Sequence, residues 1–166
     1  FSKNNTILDL GSGPGTCSKE LAKIVGTGGK IISVDKSSHY IQYIENNLQK
    51  KFPQIIPICT SFEDLNLEQN SIDHMFCRWS LAWVQNPNKI IGKIKNFLKK
   101  GGKVVFHEYY DWSTHQVFPF KENVDKCIKT ALKSFKESDF EIDIGAALPQ
   151  ILYDIDFNII STRLMP

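Results

Sequence analysis

Hydrophobic residues in the first hundred positions form short apolar runs that alternate with segments in which they recur every three or four residues. Short apolar runs predict buried strands, and the longer spacing predicts amphipathic helices. The predicted strands are, in chain order, Thr6–Leu10, Lys30–Asp35, Ile55–Cys59, Ile72–Cys77 and Lys103–His107. Strands that alternate with helices imply an α/β fold with a doubly wound, mostly parallel sheet.

Three helices are predicted between these strands. The first spans Thr16–Val25 and ends at Gly26. The second is capped by Ser37 and runs to about Lys51. The third begins at Pro87, which suits a first helical turn, and ends at Gly101-Gly102.

The alternation of strands and helices breaks after Tyr110. A long amphipathic helix is predicted over Val117–Lys136, a shorter helix over Ala146–Tyr153, and a last strand over Phe157–Leu164. We interpret residues 111–153 as a helical insertion or cap after the fifth strand, within one domain that covers residues 1–166.

Composition and charge exclude several function classes. The chain has 166 residues, a length typical of one domain, and its net charge of +2 is too small to indicate nucleic-acid binding. The lysines of its two densest clusters, Lys50-Lys51 and Lys99-Lys100-Lys103, are interpreted as cations that complement helix ends. No apolar run is long enough to cross a membrane.

The four cysteines form no C-x-x-C pair, and no histidine lies beside them at metal-ligand spacing. This pattern predicts a reducing, cytoplasmic location and no metal site.

The turn after the first strand carries Gly11, Gly13 and Gly15 on alternate positions. Glycines there allow a backbone to approach a ligand closely, beside the unpaired N–H groups of a helix N-terminus. Asp35 ends the second strand and is predicted to lie beside this loop, where a carboxylate can accept ribose hydroxyls. The alternatives are a tight turn without a ligand and an Asp35 that caps a helix.

The segment Ile7–Gly15 resembles the first motif of class I S-adenosylmethionine-dependent methyltransferases, an acidic residue followed by G-x-G-x-G. Further similarity to the small-molecule, UbiE-like group covers Thr60–Leu65, Ser71–Arg78, Phe97–Gly102 and Gly145–Phe157. The resemblance implies a Rossmann-like fold and S-adenosyl-L-methionine as cofactor. It also implies that an N-terminal helix and the last strand of the fold lie outside this chain.

The resemblance assigns roles to matching positions. Asp9, Gly11, Ser12 and Gly13 would face the methionine end of the cofactor, Asp35 its ribose, and Lys36, Ser61 and Phe62 its adenine. The family often has Asp where Ser61 stands, so this adenine contact loses its charge assistance.

The substrate is expected over the ends of the fourth and fifth strands. Trp79, Trp83 and Tyr109 are candidates for substrate contacts, and His107 and Glu108 are candidates for a general base. Trp79 and Trp83 would share one face if their segment were helical. Arg78 can line the cofactor pocket, clamp a carboxylate or form a structural salt bridge.

The favoured function is methyl transfer to a small molecule, at the oxygen of a carboxylate or hydroxyl. The fourth strand lacks the motif of nucleobase methyltransferases, and no carboxylate cluster indicates a metal-dependent enzyme. A nicotinamide-dependent oxidoreductase is the alternative, although its G-x-G-x-x-G/A fingerprint would need Gly or Ala at Thr16. A cofactor-binding module without catalysis is the third hypothesis.

Overall fold

A computed structural model describes residues 1–165, so Pro166, the last residue of the predicted domain, lies outside the described residues. The described chain separates into two compact units. The first unit contains residues 1–78 and 89–106, and the second contains residues 79–88 and the chain from His107 onward.

The first unit is built on a five-stranded sheet. Its strands are β1 (Thr6–Leu10), β2 (Lys30–Asp35), β3 (Ile55–Cys59), β4 (Ile72–Arg78) and β5 (Leu98–His107), the last of which ends in the second unit. The strand order is β3-β2-β1-β4-β5, and β1 pairs in parallel with both β2 and β4. The order therefore reverses beside β1, which is where doubly wound folds bind ligands.

The first unit also contains the helices α1 (Thr16–Val25) and α2 (Ser38–Asn47) and all but the first two residues of α3 (Pro87–Phe97). Buried residues of α1 and α2 pack on the strands in one hydrophobic cluster that includes Leu21, Ile44 and Ile31. The apolar face of each helix thus packs against the sheet, as the spacing of its hydrophobic residues predicts.

The outer strand β3 carries a proline at its centre. Pro57 lies opposite Ser33 of β2, and its neighbour Ile56 is exposed. Proline is tolerated in edge strands because the N–H it lacks would not be needed on the outer side.

The second unit contains two longer helices, α4 (Glu122–Glu137) and α5 (Ile144–Asp154), and two short 3₁₀ turns, Leu81–Trp83 and Trp112–Thr114. The helix α4 begins five residues later than predicted. Pro119 lies before its start, and a proline disfavours helical backbone at the residue that precedes it.

Two predictions about local structure are wrong. Gly101-Gly102 does not separate a helix from a strand, because β5 already begins at Leu98 and passes through both glycines. The lysines at 99, 100 and 103 therefore lie in a strand and not at a helix end. Phe157–Leu164 forms no strand in the described part of the chain, and Ile160 and Leu164 expose most of their side chains.

Candidate functional site

The glycine-rich loop joins β1 to α1 at the point where the strand order reverses. Gly11, Gly13 and Gly15 have φ angles of 76°, 51° and 83°. Residues other than glycine rarely adopt this left-handed backbone conformation, which explains why glycine recurs on alternate positions.

The loop is tied to the end of β2 by backbone donors. The N–H groups of Gly11 and Ser12 each donate to the Val34 carbonyl at 2.9 Å. The Gly13 N–H donates to Oδ2 of Asp35 at 2.9 Å, and the Ser37 N–H donates to Oδ1 at the same distance. The side chain of Ser37, and not that of Asp35, caps α2. Asp35 therefore lies beside the loop, as predicted, and holds it.

The loop also offers unused space and an unused polar atom. Among the residues described, no atom beyond Gly13 and its two chain neighbours lies within 4 Å of the position that a Cβ at Gly13 would occupy. The hydroxyl of Ser12 is buried and has no hydrogen-bond partner among the residues described. An open backbone surface and a buried hydroxyl fit a polar ligand laid against the loop.

Asp9 lies deeper than the loop, with 1% of its surface exposed. The Ser18 hydroxyl donates to Oδ2 of Asp9 at 2.5 Å, and the Ser33 hydroxyl donates to that of Ser18 at 2.8 Å. Burial raises the pKa of Asp9 to about 6, and the hydrogen bond from Ser18 opposes the rise. These contacts make Asp9 a support beneath the loop.

The predicted adenine residues lie after β2 and β3. The Ser61 hydroxyl donates to the Asp64 carboxylate at 2.7 Å and accepts the Asp64 N–H at 3.0 Å, so it fixes a turn. Phe62 is half-buried and Lys36 is exposed. Their contacts with a cofactor stay predictions.

Arg78 is the last residue of β4. Its Nη1 lies 3.9 Å from Sγ of Cys17, in the first turn of α1. Burial raises the pKa of the Cys17 thiol, and the hydrogen bond from Arg78 opposes the rise. The structure thus brings the guanidinium to the N-terminal turn that follows the glycine loop.

The aromatic candidates lie in the second unit, and the structure corrects the idea that they share a helix face. Trp79 has a φ of 54°, outside any helix, and its N–H donates to the His107 carbonyl at 3.0 Å. Its ring stacks on Tyr109 with centroids 5.7 Å apart. Trp83 instead contacts Phe135, with centroids 4.7 Å apart.

The two candidate bases also lie in this unit. Oε1 of Glu108 accepts the N–H groups of Ser80 and Leu81 at 2.9 and 3.1 Å. Glu108 thereby fixes the turn that follows Trp79. The ring of His107 lies 5.7 Å from that of Trp79. A role for either residue as a base stays a prediction.

Sequence reasoning missed several neighbours of these residues. Ser18 and Ser33 support Asp9 from α1 and β2, and Phe135 contacts Trp83 from α4. Nothing in their spacing singles them out, because each contact depends on how separate elements pack.

Two kinds of feature are absent from the described residues. In the part of the chain that the structure describes, no group of three or more His, Cys, Asp or Glu side chains is placed to hold a metal ion. None of the helices in residues 1–165 combines the length and the apolar character needed to span a membrane.

The chain resembles known proteins in both sequence and fold. The family model described as "Methyltransferase domain" matches residues 1–153. Phosphoethanolamine N-methyltransferase 1 of Triticum aestivum is 32% identical over 105 residues, which cover 62% of this chain and 21% of that protein. The 2-phytyl-1,4-naphtoquinone methyltransferase of Nostoc punctiforme is 28% identical over 120 residues, 71% of this chain and 52% of that protein.

The fold agrees with a solved structure. The crystal structure of a SAM-dependent methyltransferase from Aquifex aeolicus matches with a TM-score of 0.70 at 17% identity, covering 93% of this chain and 72% of that one. The chain spans from about a fifth to about a half of the two curated relatives. Because the family model matches most of its length, the chain belongs to the methyltransferase domain family, as a class I, S-adenosylmethionine-dependent member.

Proposed function

We propose that this protein transfers a methyl group from S-adenosylmethionine to a small molecule, at an oxygen of a carboxylate or hydroxyl. The observation that carries the proposal is the glycine loop, held open at the reversal of strand order by the Asp35 carboxylate. The cofactor, when bound, supplies a methyl group already activated by a sulfonium charge. The chain's own residues then have to bind the cofactor and the substrate, align them and exclude water.

The cofactor side of the site fits this role. Each oxygen of Asp35 accepts one backbone N–H and keeps capacity for a ribose hydroxyl. The Ser12 hydroxyl and the open surface at Gly13 suit the polar methionine end. Asp9, which is buried against Ser18, would hold the loop's base in place and not touch the ligand.

We propose that aromatic side chains supply the substrate contacts. The stacked rings of Trp79 and Tyr109, and the ring of Trp83 that packs on Phe135 of α4, suit an apolar acceptor. We also propose that residues 1–166 form one methyltransferase domain, with 111–153 as its helical insertion.

All four cysteines are free thiols, which supports a reducing compartment such as the cytoplasm.

The acceptor atom is the finer part of the proposal. The names of the two relatives given above indicate different acceptors, phosphoethanolamine and a naphthoquinone. Incubation of the protein with S-adenosylmethionine and a library of small acids, phenols and amines tests it, with methylated products read by mass. Methyl esters or ethers support the oxygen acceptor, whereas products methylated at nitrogen alone overturn it.

Cofactor choice separates methyl transfer from the oxidoreductase alternative. Titration calorimetry is expected to show micromolar binding of S-adenosylmethionine and none of NADH. The reverse result would replace the proposal with a nicotinamide-dependent reaction. Binding of S-adenosylmethionine without any product from the library would favour the non-catalytic module.

Replacement of Asp35 by Ala is expected to weaken binding of S-adenosylmethionine at least tenfold. The variant loses the ribose acceptor and the anchor of the Gly13 N–H, and tenfold corresponds to about 1.4 kcal/mol. Glu20→Ala is the matched control, because Glu20 is an exposed carboxylate on α1 that pairs with Lys23. An unchanged affinity in Asp35→Ala would show that Asp35 serves the loop alone.

A further inference from the structure

The end of β3 lies on the far side of Asp35 from the glycine loop. In the sheet order β3-β2-β1-β4-β5, the loop follows β1 and Asp35 ends β2. Asp35 lies opposite Cys59, the last residue of β3, and its carbonyl accepts the Thr60 N–H at 3.1 Å. The three strand ends thus form a row, and doubly wound folds bind ligands outside such strand ends.

This row gives each part of the proposed cofactor a place. The methionine end is proposed to lie against the loop after β1, and the ribose on Asp35 at the end of β2. The sulfur and the base are attached at opposite ends of the ribose. The base therefore extends from Asp35 toward the segment that follows β3, where the side chain of Ser61 is half-buried.

The segment that follows β3 is a fixed turn. The Leu65 N–H donates to the Ser61 carbonyl at 3.0 Å, and Leu65 exposes 2% of its surface. Nζ of Lys93, on α3, donates to the Glu63 carbonyl at 2.6 Å. These contacts hold the turn, and they use only backbone atoms of Ser61 and Glu63.

The hydroxyl of Ser61 is held in one orientation. Its oxygen lies 2.7 Å from Oδ2 of Asp64 and 3.0 Å from the backbone nitrogen of Asp64. An ionised carboxylate only accepts and an N–H only donates, so the hydroxyl proton points at the carboxylate and one lone pair accepts the N–H. Within residues 1–165, these contacts leave one lone pair for a ligand and no proton.

We infer that Ser61 binds the amino group of the cofactor's adenine, and that Asp64 makes this contact selective by holding the hydroxyl as an acceptor. Asp64 is a positioning residue, because it acts through Ser61 and does not touch the base. A hydroxyl that is free to rotate can pair with either an amino or a carbonyl group. The held hydroxyl pairs with the amino group of adenine, whereas it faces the carbonyl of hypoxanthine with a second acceptor.

The inference rests on the proposed function, since it concerns the base end of the same cofactor. The test compares S-adenosylhomocysteine with S-inosylhomocysteine on the whole chain by titration calorimetry. The second compound carries a carbonyl oxygen in place of the amino group. The adenosyl compound is expected to bind roughly 5- to 10-fold more tightly, as one hydrogen bond allows. Equal affinities would overturn the inference.

Asp64→Ala frees the hydroxyl of Ser61 to rotate, while the backbone N–H at position 64 and the buried Leu65 keep the turn. The preference for the adenosyl compound should fall, because the inosyl compound binds this variant more tightly than it binds the wild type. Hypoxanthine also carries a ring N–H that adenine lacks, but its contribution is the same in both proteins and cancels in the comparison. If Asp64→Ala weakens both compounds equally, Asp64 has only a structural role and the assignment is wrong.

Ser61→Ala removes the acceptor itself. Its preference should also fall, but here because the adenosyl compound binds more weakly. Glu63→Ala is the matched control, because it removes an exposed carboxylate from the same turn and leaves the backbone carbonyl that Lys93 contacts. A preference that persists in Ser61→Ala, or falls in Glu63→Ala, contradicts the inference.

The failures of this inference and of the proposed function are distinguishable. If the protein methylates library compounds but binds the two homocysteine compounds equally, only the assignment of Ser61 and Asp64 is wrong. If the Asp64-dependent preference is observed but no compound is methylated, only the methyl-transfer proposal is wrong.

Discussion

Replacement of Gly15 by Ala is expected to destabilise the protein by roughly 2 to 4 kcal/mol. Gly15 precedes α1 with a φ of 83°, and a Cβ there would lie 2.7 Å from Cδ1 of Leu48 and 2.9 Å from Cγ1 of Ile44. Ile44 is fully buried in the hydrophobic cluster, so the clash adds to the backbone cost. Urea unfolding followed by circular dichroism measures the loss.

Gly13→Ala separates the two contributions to that loss. Gly13 also has a positive φ, but in residues 1–165 no atom beyond its two chain neighbours lies within 4 Å of the added Cβ. Only the backbone cost of about 1–2 kcal/mol is expected. The new methyl group projects into the space proposed for the cofactor, so binding of S-adenosylmethionine should weaken more than stability does. Equal destabilisation by both substitutions would contradict the role of the Leu48 and Ile44 contacts.

Asp9→Asn is expected to remove a strong pH dependence from the free energy of unfolding. Burial raises the pKa of Asp9 from 3.8 to about 6 in the folded protein. Between these values the folded state binds a proton that the unfolded chain has released, so stability falls as pH rises through this window. Relative to the Asn variant, the wild type should lose about 3 kcal/mol between pH 3 and pH 7.

Chemical denaturation of both proteins across this pH range measures the effect. Asp73→Asn is the control with the opposite sign. Burial opposes the change, but hydrogen bonds from Lys99 and the Thr6 N–H lower the pKa of Asp73, so its contribution is lost as pH falls. If the free energy of unfolding depends on pH in the same way for the wild type and Asp9→Asn, the pKa of Asp9 is not raised. Contacts other than that with Ser18 would then stabilise the charged carboxylate.

The sequence predicts the first half of the fold well because its signals there are local. The bounds of β1, α1 and β2 agree with the predictions, since each apolar run is delimited by glycine or a polar turn. The ends of the later elements depend on packing. β5 continues through Gly101 because pairing in a sheet compensates for the low strand propensity of glycine.

The site divides in the same way. Its loop and Asp35 are predictable, because alternate glycines demand positive φ and a strand-end carboxylate can reach the adjacent turn. The burial of Asp9 is not predictable, because it depends on hydroxyls that α1 and β2 bring together.

Pro57 has a consequence for behaviour at high concentration. An outer strand normally offers a row of backbone donors and acceptors on which another chain can form a further strand, the first step of edge-to-edge aggregation. In β3 the exposed Ile56 would favour such growth, but Pro57 beside it cannot donate a backbone hydrogen bond. Pro57 therefore opposes the pairing of β3 with a strand of another chain.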